Sequence, residues 1–275
     1  MVLGIVVIGL TIWERVRYKL NFYLKEKAMK KMRRNLGRSS LGWRATWLWL
    51  AGIVGISGVV QEVSAHGAVG FPIARQYQCN LDGGYWGAPN GSDIPNADCR
   101  AAYRAGDNSP YPFVQWNEVS ANPRDPEDFS EIIKAVPDGL LCAGGDPRKQ
   151  GLDRTPTTLW RKTKITPKNG AIELVWENTT AHNPSRMRVF ISKPSYDPTR
   201  PLTWSDLDLI YDAPAPAPVP ANGEGHLPNV RSFYKLNVSI PEDRKGDAVL
   251  YSYWQRIDAG NEGFFNCSDV TIVRE

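Results

Sequence analysis

The segment EVSAHG places His66, one of only three histidines in the chain, directly after Val-Ser-Ala. Ala65 and Val63 fit the last and third-last positions of a secretory cleavage site. Cleavage after Ala65 would give His66 a free α-amine. That amine and the imidazole Nδ1 of the same residue can chelate one metal ion in a small ring. Both groups lose their protons easily at neutral pH, because they titrate near ~8 and ~6.5.

One further imidazole would complete a planar set of three nitrogens, which is a ligand set that suits copper. His182 lies in TTAHNPS, at a predicted turn between two strands, where a side chain at a sheet edge can reach a metal on the surface. His226 lies in GEGHLPNV and has no strand context. We therefore favour His182 as the second ligand residue. The alternative for each is an ordinary exposed loop histidine.

The region before His66 has the organisation of an export signal. Residues 45–60 are apolar, follow the basic segment KKMRRNLGRSSLGWR, and precede QEVSA. A membrane-spanning helix is the competing interpretation, but it normally needs ~20 apolar residues. We expect residues 1–65 to be an N-terminal extension plus signal peptide, with Met29 or Met32 as alternative translation starts. Residues 66–275 would then be one secreted domain with no membrane segment.

The basic character of the chain belongs to its N-terminal part. Residues 1–65 contain 11 of the 33 Lys and Arg residues and 3 of the 29 Asp and Glu residues, which leaves 22 basic and 26 acidic residues in 66–275. The predicted mature domain is therefore slightly acidic, and the composition gives no support for nucleic-acid binding.

All four cysteines follow the predicted cleavage point: Cys79, Cys99, Cys142 and Cys267. An even number in an exported chain suggests two disulfides, for which three pairings are possible. Cys79–Cys99 is the local choice, and it leaves Cys142–Cys267 to tie an early loop to the last strand. A four-cysteine zinc site would need closely spaced pairs, which the chain lacks.

The two halves of the predicted domain differ in pattern. The first half is rich in Gly, Pro, Asn and Asp, and it contains one predicted helix at 126–136, capped by Asp125. The second half contains short, β-branched or aromatic, partly alternating segments, at 171–178, 186–193, 232–240, 248–258 and 267–273. This pattern predicts an all-β fold, an immunoglobulin- or fibronectin-III-like antiparallel sandwich with a large loop-and-short-helix insertion in its N-terminal half.

Other candidate features have simpler explanations. The Pro/Ala-rich stretch at 212–225 is interpreted as a stiff surface loop, because strands continue beyond it. The adjacent carboxylates Glu127 and Asp128 fall at the start of the predicted helix, where capping and the helix dipole account for them. The chain contains no GxSxG, HExxH or P-loop signature of a conventional hydrolase or nucleotide-binding enzyme.

Several motifs together resemble one known family. They are HGAVGFPIARQYQC, CRAAYR, LCAGG, TAHNPS, TWSDLDLIYD and WQRIDAGNEGFFNCSDV. These motifs are similar to those of the fusolin (spindolin) group of viral and bacterial chitin-binding proteins, within the auxiliary-activity family 10 lytic polysaccharide monooxygenases. The resemblance covers nearly all of residues 66–275.

The resemblance implies a copper site made by the His66 amine, His66 Nδ1 and His182, with Phe264 on the axial side of the ion. Phe265 stands where many relatives have tyrosine. Two positions depart from the wider family. Thr180, or Ala181 if the loop shifts by one residue, stands where many members have a small alanine. Glu118 is a candidate, left unassigned, for a glutamate that controls oxidant access in many members.

The implied reaction is oxidative cleavage of a β-1,4 glycosidic bond in a crystalline polysaccharide, with O₂ or H₂O₂ as co-substrate and an external electron donor. A crystal surface requires a flat binding face, on which Trp116 is the preferred residue to stack on a sugar ring. Tyr85 and Trp86, which lie in a Gly/Pro-rich loop, are weaker candidates. Trp176 and Trp254 lie in predicted strands and are expected in the core, beside the metal.

Two other functions stay open on the sequence alone. The first is a non-catalytic chitin-binding protein, and the second is an exported copper carrier. The enzyme is favoured because His66 at the cleavage point and an aromatic-containing loop region occur together. We expect a monomer with crystalline polysaccharide as its partner, and chitin is favoured over cellulose.

Overall fold

The structure is a computed structural model that describes residues 65–274 of the 275-residue chain. The alternative translation starts and nearly all of the predicted signal peptide lie outside these residues. Within residues 65–274, no helix is both long enough and apolar enough to cross a membrane.

The first of two sheets has four strands in the order β1–β4–β8–β7, and all neighbouring pairs are antiparallel. The strands are β1 (His66–Phe71), β4 (Ala171–Thr180), β8 (Ser232–Ser239) and β7 (Val219–Pro220). Along β8, buried Leu236 and Val238 alternate with exposed Lys235 and Asn237. Alternation of this kind is expected of a strand that has one face on a core and one in water.

The second sheet has six strands. Its main order is β2–β10–β9–β5–β6, and β3 pairs in parallel with the end of β10. The strands are β2 (Ser120–Ala121), β3 (Thr163–Ile165), β5 (Ser185–Ser192), β6 (Leu207–Pro214), β9 (Gly246–Arg256) and β10 (Gly263–Ile272). The two sheets enclose an apolar core, so the predicted β-sandwich is confirmed.

The central strand β9 is buried on both faces, because the second sheet has a second apolar layer on its outer side. Leu250 and Trp254 point into the core between the sheets. Tyr251 and Tyr253, on the opposite face, belong to a separate core formed with the helical segments of the N-terminal half. The predicted insertion is therefore a packed third layer.

Short helices make up this layer. They are α1 (Arg75–Asp82), α2 (Ala97–Ala105), α3 (Tyr111–Val114), α4 (Phe129–Ala135) and α5 (Gly151–Arg154). Three 3₁₀ turns are also present, at Pro147–Lys149, Thr157–Leu159 and Trp204–Asp206. Most of these helices are too short to show a clear apolar periodicity, which explains why the sequence predicts only one of them.

The predicted helix at 126–136 begins later than expected. Asp128 is the capping residue, and its Oδ1 accepts a hydrogen bond from the N–H of Ser130 at 2.9 Å. Asp125 instead accepts from the N–H of Glu127 at 3.0 Å, which makes a turn before the helix. The prediction of Asp125 as the cap was wrong. Asp125 and Asp128 both have a carboxylate that can cap a helix, and the sequence alone does not distinguish them.

All five predicted strands are present, and their observed ends differ from the predicted ones by at most four residues. The sequence did not predict β1 or β6 as strands. The Pro/Ala-rich stretch at 212–225 is mostly loop, as expected, although β6 runs to Pro214 and Val219–Pro220 pairs with β8. It lies between strands of one domain and is not a boundary.

Candidate metal centre

His66 is the first residue of the edge strand β1 and lies opposite Thr180 at the end of β4. The next residue, Gly67, allows the two strands to approach closely. A Cβ at Gly67 would lie 2.5 Å from the carbonyl oxygen of Glu177 and 2.7 Å from the indole nitrogen of Trp176, so any side chain there would push β1 away. The strand pairing thus fixes His66 at one end of the sandwich.

The imidazole of His66 is half-buried, and a carboxylate contacts one of its nitrogens. Nε2 lies against Oε1 of Glu118. Nδ1 is the ring nitrogen nearer the main chain, and it is the one that can share a metal with the α-amine. A carboxylate on the outer nitrogen is the usual way in which a protein orients a metal-binding imidazole. The sequence left Glu118 unassigned, because its reach to His66 depends on the path of a whole loop.

His182 lies in the turn between β4 and β5, two residues beyond Thr180. Its backbone is fixed by Tyr234, whose hydroxyl accepts from the N–H of His182 at 3.0 Å and donates to its carbonyl at 2.9 Å. Ser185 Oγ also donates to this carbonyl, at 2.8 Å, and accepts from the indole of Trp254 at 2.9 Å. The predicted second ligand therefore has a rigid support.

A carboxylate also contacts the His182 ring. Nε2 lies 3.0 Å from Oδ2 of Asp258. Burial raises the pKa of Asp258, but hydrogen bonds from Arg256 and from the N–H of Gly260 outweigh this effect and leave the pKa below its usual value. Asp258 is therefore ionised at neutral pH. Sequence reasoning missed it, since no spacing rule connects a residue after β9 with the β4–β5 turn.

Phe264, on β10, lies beside His66. Its ring is fully buried, meets that of His66 edge-on and stacks on Trp254 with centroids 4.9 Å apart. The adjacent Phe265 points to the other face of β10, where it stacks on Tyr253 at 4.4 Å. The structure thus places Phe264, and not Phe265, beside His66. Trp176 and Trp254 are fully buried and pack against each other, as expected of core residues.

The prediction that Trp116 stacks on a sugar ring disagrees with the structure. Trp116 is only 5% exposed, and its face is covered by the ring of Tyr77 at a centroid distance of 4.1 Å. Burial of a large apolar ring is favourable, and the Trp116 ring is buried although the residue lies in a loop. Trp86, a weaker candidate on the sequence, is 71% exposed and is the most exposed large apolar side chain among residues 65–274.

His226 occupies a different environment from the other two histidines. Its Nδ1 lies 2.5 Å from Oε1 of the buried Glu177, and its backbone N–H donates to Oε2 at 3.1 Å. Tyr77 donates its hydroxyl to the same carboxylate at 2.7 Å. His226 therefore binds a buried carboxylate, and the structure places it away from the contacts made by His66 and His182.

Both disulfides have the pairing that follows from joining Cys79 to Cys99, the cysteine nearest to it in the sequence. Cys79 is bonded to Cys99, and Cys142 is bonded to Cys267. The first joins α1 to α2, and the second joins the helical layer to the central part of β10. All four thiols are consumed in this way, so no cysteine is available as a metal ligand.

The residues at this end of the sandwich fit a copper ion. Each of two imidazoles has one nitrogen on a carboxylate, and Nδ1 of His182 is buried with no hydrogen-bond partner among the described residues. A buried nitrogen without a partner is unfavourable unless another group binds it. The donor set consists of nitrogens without thiolates, which suits copper. Cleavage before His66 would add a third nitrogen.

Comparisons with known proteins identify a family for the chain. The family described as "Lytic polysaccharide mono-oxygenase, cellulose-degrading" matches residues 66–270. A spindolin of Choristoneura biennis entomopoxvirus is 34% identical over 240 residues, which cover 76% of this chain and 69% of the relative. The chitin-binding protein CbpD of Pseudomonas aeruginosa is 31% identical over 213 residues, which cover 77% of this chain and 49% of that protein.

A solved structure supports the same assignment. The cellulose-active monooxygenase CelS2, in complex with copper, aligns with a TM-score of 0.60 and 29% identity, covering 76% of this chain and all of the other. The family match begins at His66, the residue that sequence analysis places at the mature N-terminus. The chain belongs to the lytic polysaccharide monooxygenases of auxiliary-activity family 10.

Proposed function

We propose that the mature protein, beginning at His66, is a secreted, monomeric, copper-dependent monooxygenase that cleaves β-1,4 bonds in crystalline chitin. One observation carries the proposal. The β1–β4 register brings His66 to the end of the sandwich that also presents His182, with the Phe264 ring against His66. A family match that starts at His66 adds support.

The ligands of the ion would be the His66 amine, His66 Nδ1 and an imidazole nitrogen of His182. Bound copper would supply the redox chemistry that activates O₂ or H₂O₂ toward a sugar C–H bond, with electrons from an external reductant. Glu118 and Asp258 orient the two rings from their outer nitrogens. Phe264 would place an apolar ring, which has no ligand atom to offer, next to an ion held by His66.

Chitin is the substrate we favour, although the family description and CelS2 both point to cellulose. The chitin-binding name of CbpD and the fusolin-like motifs support chitin. Trp86 is the exposed aromatic side chain best suited to stack on a sugar ring, since Trp116 is buried. A binding role without catalysis is the second candidate, because CbpD is described only by what it binds.

The test incubates the protein that begins at His66 with Cu(II), ascorbate and either β-chitin or crystalline cellulose, and analyses the soluble products by mass spectrometry. We expect oxidised chitooligosaccharides from chitin. Tight binding to chitin without any oxidised product would leave the non-catalytic function standing. Oxidised products from cellulose alone would overturn the substrate assignment. Copper binding without polysaccharide binding or products would instead point to the carrier.

A further inference from the structure

Lys149 is a lysine in an unusual position. It ends the 3₁₀ turn Pro147–Lys149 in the helical layer, and its side chain is only 3% exposed. Lysine is rarely buried to this degree unless its ammonium has partners, because removing the charge from water is unfavourable. The four-carbon stem alone could be provided by methionine at lower cost, so the ammonium itself requires an explanation.

The ammonium has one hydrogen bond in the described part of the chain, and it leads to the metal centre. Nζ of Lys149 donates to the carbonyl oxygen of Glu118 at 2.5 Å. The ring of Tyr111 lies below the ammonium at 5.2 Å, and a carboxylate oxygen of Asp146 lies 3.7 Å away. Burial lowers the pKa of Lys149, whereas the charges of Asp146 and Glu118 act in the opposite direction.

The loop that carries Glu118 is fixed at three successive points. The carbonyl of Asn117 accepts from the N–H of Gly67 in β1 at 3.0 Å. The carbonyl of Val119 accepts from the N–H of Phe265 in β10 at 2.8 Å. Between these two backbone contacts, the carbonyl of Glu118 accepts its hydrogen bond from Lys149. Without Lys149 this partly buried carbonyl would lose the partner that the structure shows.

The Glu118 side chain is the part of this loop that touches His66. Its Oε1 lies against Nε2 of the imidazole, and its carboxylate is about one-third exposed, so the backbone has to hold it in place. A shift of the Glu118 main chain would move the carboxylate off the ring nitrogen. The Lys149 ammonium, which binds this main chain, is thus connected to the His66 ring through Glu118.

We propose that Lys149 is a positioning residue for the metal centre, which fixes the main chain of Glu118 and thereby keeps its carboxylate on Nε2 of His66. This inference rests on the proposed function only in taking His66 as a copper ligand. Lys149 acts through Glu118, so its removal and the removal of the Glu118 charge affect the same interaction.

The test measures Cu(II) affinity by competition with a chelator, on protein that begins at His66, without polysaccharide. We expect Lys149→Met to weaken Cu(II) binding roughly tenfold, in the range of changes to groups that orient a metal ligand. Lys134→Met removes an exposed lysine that pairs with Glu131 on α4, and it should leave the affinity unchanged. Wild-type affinity in folded Lys149→Met would overturn the proposal.

A double variant tests the route of the effect. If Lys149 acts through Glu118, Lys149→Met combined with Glu118→Gln should bind Cu(II) no more weakly than Glu118→Gln alone. Losses that add would show that Lys149 acts independently. In metal-free protein, ring ¹⁵N signals of His66 should shift in the same direction in Lys149→Met as in Glu118→Gln. Unchanged signals would contradict the proposal even if affinity fell.

Melting temperatures and near-ultraviolet circular dichroism establish that each variant is folded. If Lys149→Met does not fold, Lys149→Arg, which keeps a donor for the carbonyl, takes its place. We then expect the Lys149→Arg variant to bind Cu(II) within about threefold of wild type and Glu118→Gln to lose roughly tenfold; equal losses would contradict the proposal. Copper binding that depends on Lys149, in a protein that oxidises no polysaccharide, would leave this inference intact and overturn the proposed function.

Discussion

The ring of Phe264 meets the imidazole of His66 edge-on, with centroids 6.2 Å apart and ring planes at 67°. Phe264 comes from strand β10 of the six-stranded sheet, and His66 is the first residue of the edge strand β1. The contact therefore joins the two sheets at the end of the sandwich where His182 also lies. Any metal held by His66 would have this apolar ring as a neighbour.

The free amine is the first feature to test. One additional residue before His66, such as a retained Ala65, would turn the amine into an amide that cannot serve as a neutral nitrogen ligand. We expect Cu(II) affinity to fall by more than about 100-fold, beyond the range for groups that only orient a ligand. Competition with a chelator measures this, and equal affinities with and without the extra residue would exclude the amine.

The two remaining histidines should respond differently to substitution. His182→Ala should weaken Cu(II) binding strongly and change the Cu(II) electron paramagnetic resonance spectrum. His226→Ala should leave both unchanged but destabilise the fold by about 1–3 kcal/mol, because Glu177 would lose a partner while remaining buried. Similar copper affinities in the two variants would mean that His182 is not a ligand.

Phe264 and Phe265 form a matched pair, since they are adjacent and fully buried on opposite faces of β10. Each change to alanine should cost about 3–5 kcal/mol in the free energy of unfolding. Only Phe264→Ala should alter the Cu(II) paramagnetic resonance spectrum. A spectrum that changes equally in both variants would indicate a general effect of core loosening.

Acid should remove one specific contribution to stability. Hydrogen bonds from Arg200 and Thr203 lower the pKa of Asp206 to about 2. A carboxyl whose pKa is lowered in the folded state stabilises the fold above its unfolded pKa, and this contribution disappears as the pH falls toward 2. Because Arg200 is partly exposed, the contribution is about 1 kcal/mol.

Asp206→Asn should therefore lower the free energy of unfolding at pH 7 but have little effect at pH 2. Urea denaturation at pH 7, 4 and 2 measures this, with the exposed Glu242→Gln as a control. A stability difference between wild type and Asp206→Asn that stays constant over this pH range would contradict the assignment.

The two disulfides should differ in their contribution to stability. They close loops of 20 and 125 residues. In the chain-entropy description, these loops correspond to about 3 and about 5 kcal/mol. Replacing Cys142 and Cys267 by alanine should thus lower the melting temperature more than replacing Cys79 and Cys99. The opposite order would show that packing around the bonds outweighs loop entropy.

The sequence predicted the sandwich well, because strand residues alternate and β-branched or aromatic residues accumulate in segments such as 171–178. It did not predict β1, since His66–Phe71 contains two glycines and little alternation, and its strand conformation comes from pairing with β4. The short helices were missed because they are held by the two disulfides and by tertiary packing, and local periodicity is weak.

The candidate site was only partly visible in the sequence. His66, His182 and Phe264 were named from the cleavage site, the spacing and the family motifs. Glu118, Asp258 and Lys149 were not assigned, because each reaches the site through contacts distant in sequence. The exposure of Trp116 was misjudged, since a loop position in the sequence does not reveal a stacking partner such as Tyr77.

Residues on alternate sides of β10 belong to different apolar cores: Phe264 and Val270 face the sandwich, whereas Phe265 and Cys267 face the helical layer. Few side chains are shared between the two, so substitutions in one layer are largely independent of packing in the other. The exposed positions of the helical layer are accordingly free to vary while the histidine-bearing strands stay in place, whereas its buried residues Arg75 and Tyr77 are bound to Asp269 and Glu177. Libraries that vary only the exposed positions of α1 to α3, with Arg75, Tyr77 and the cysteines kept, should therefore yield folded proteins.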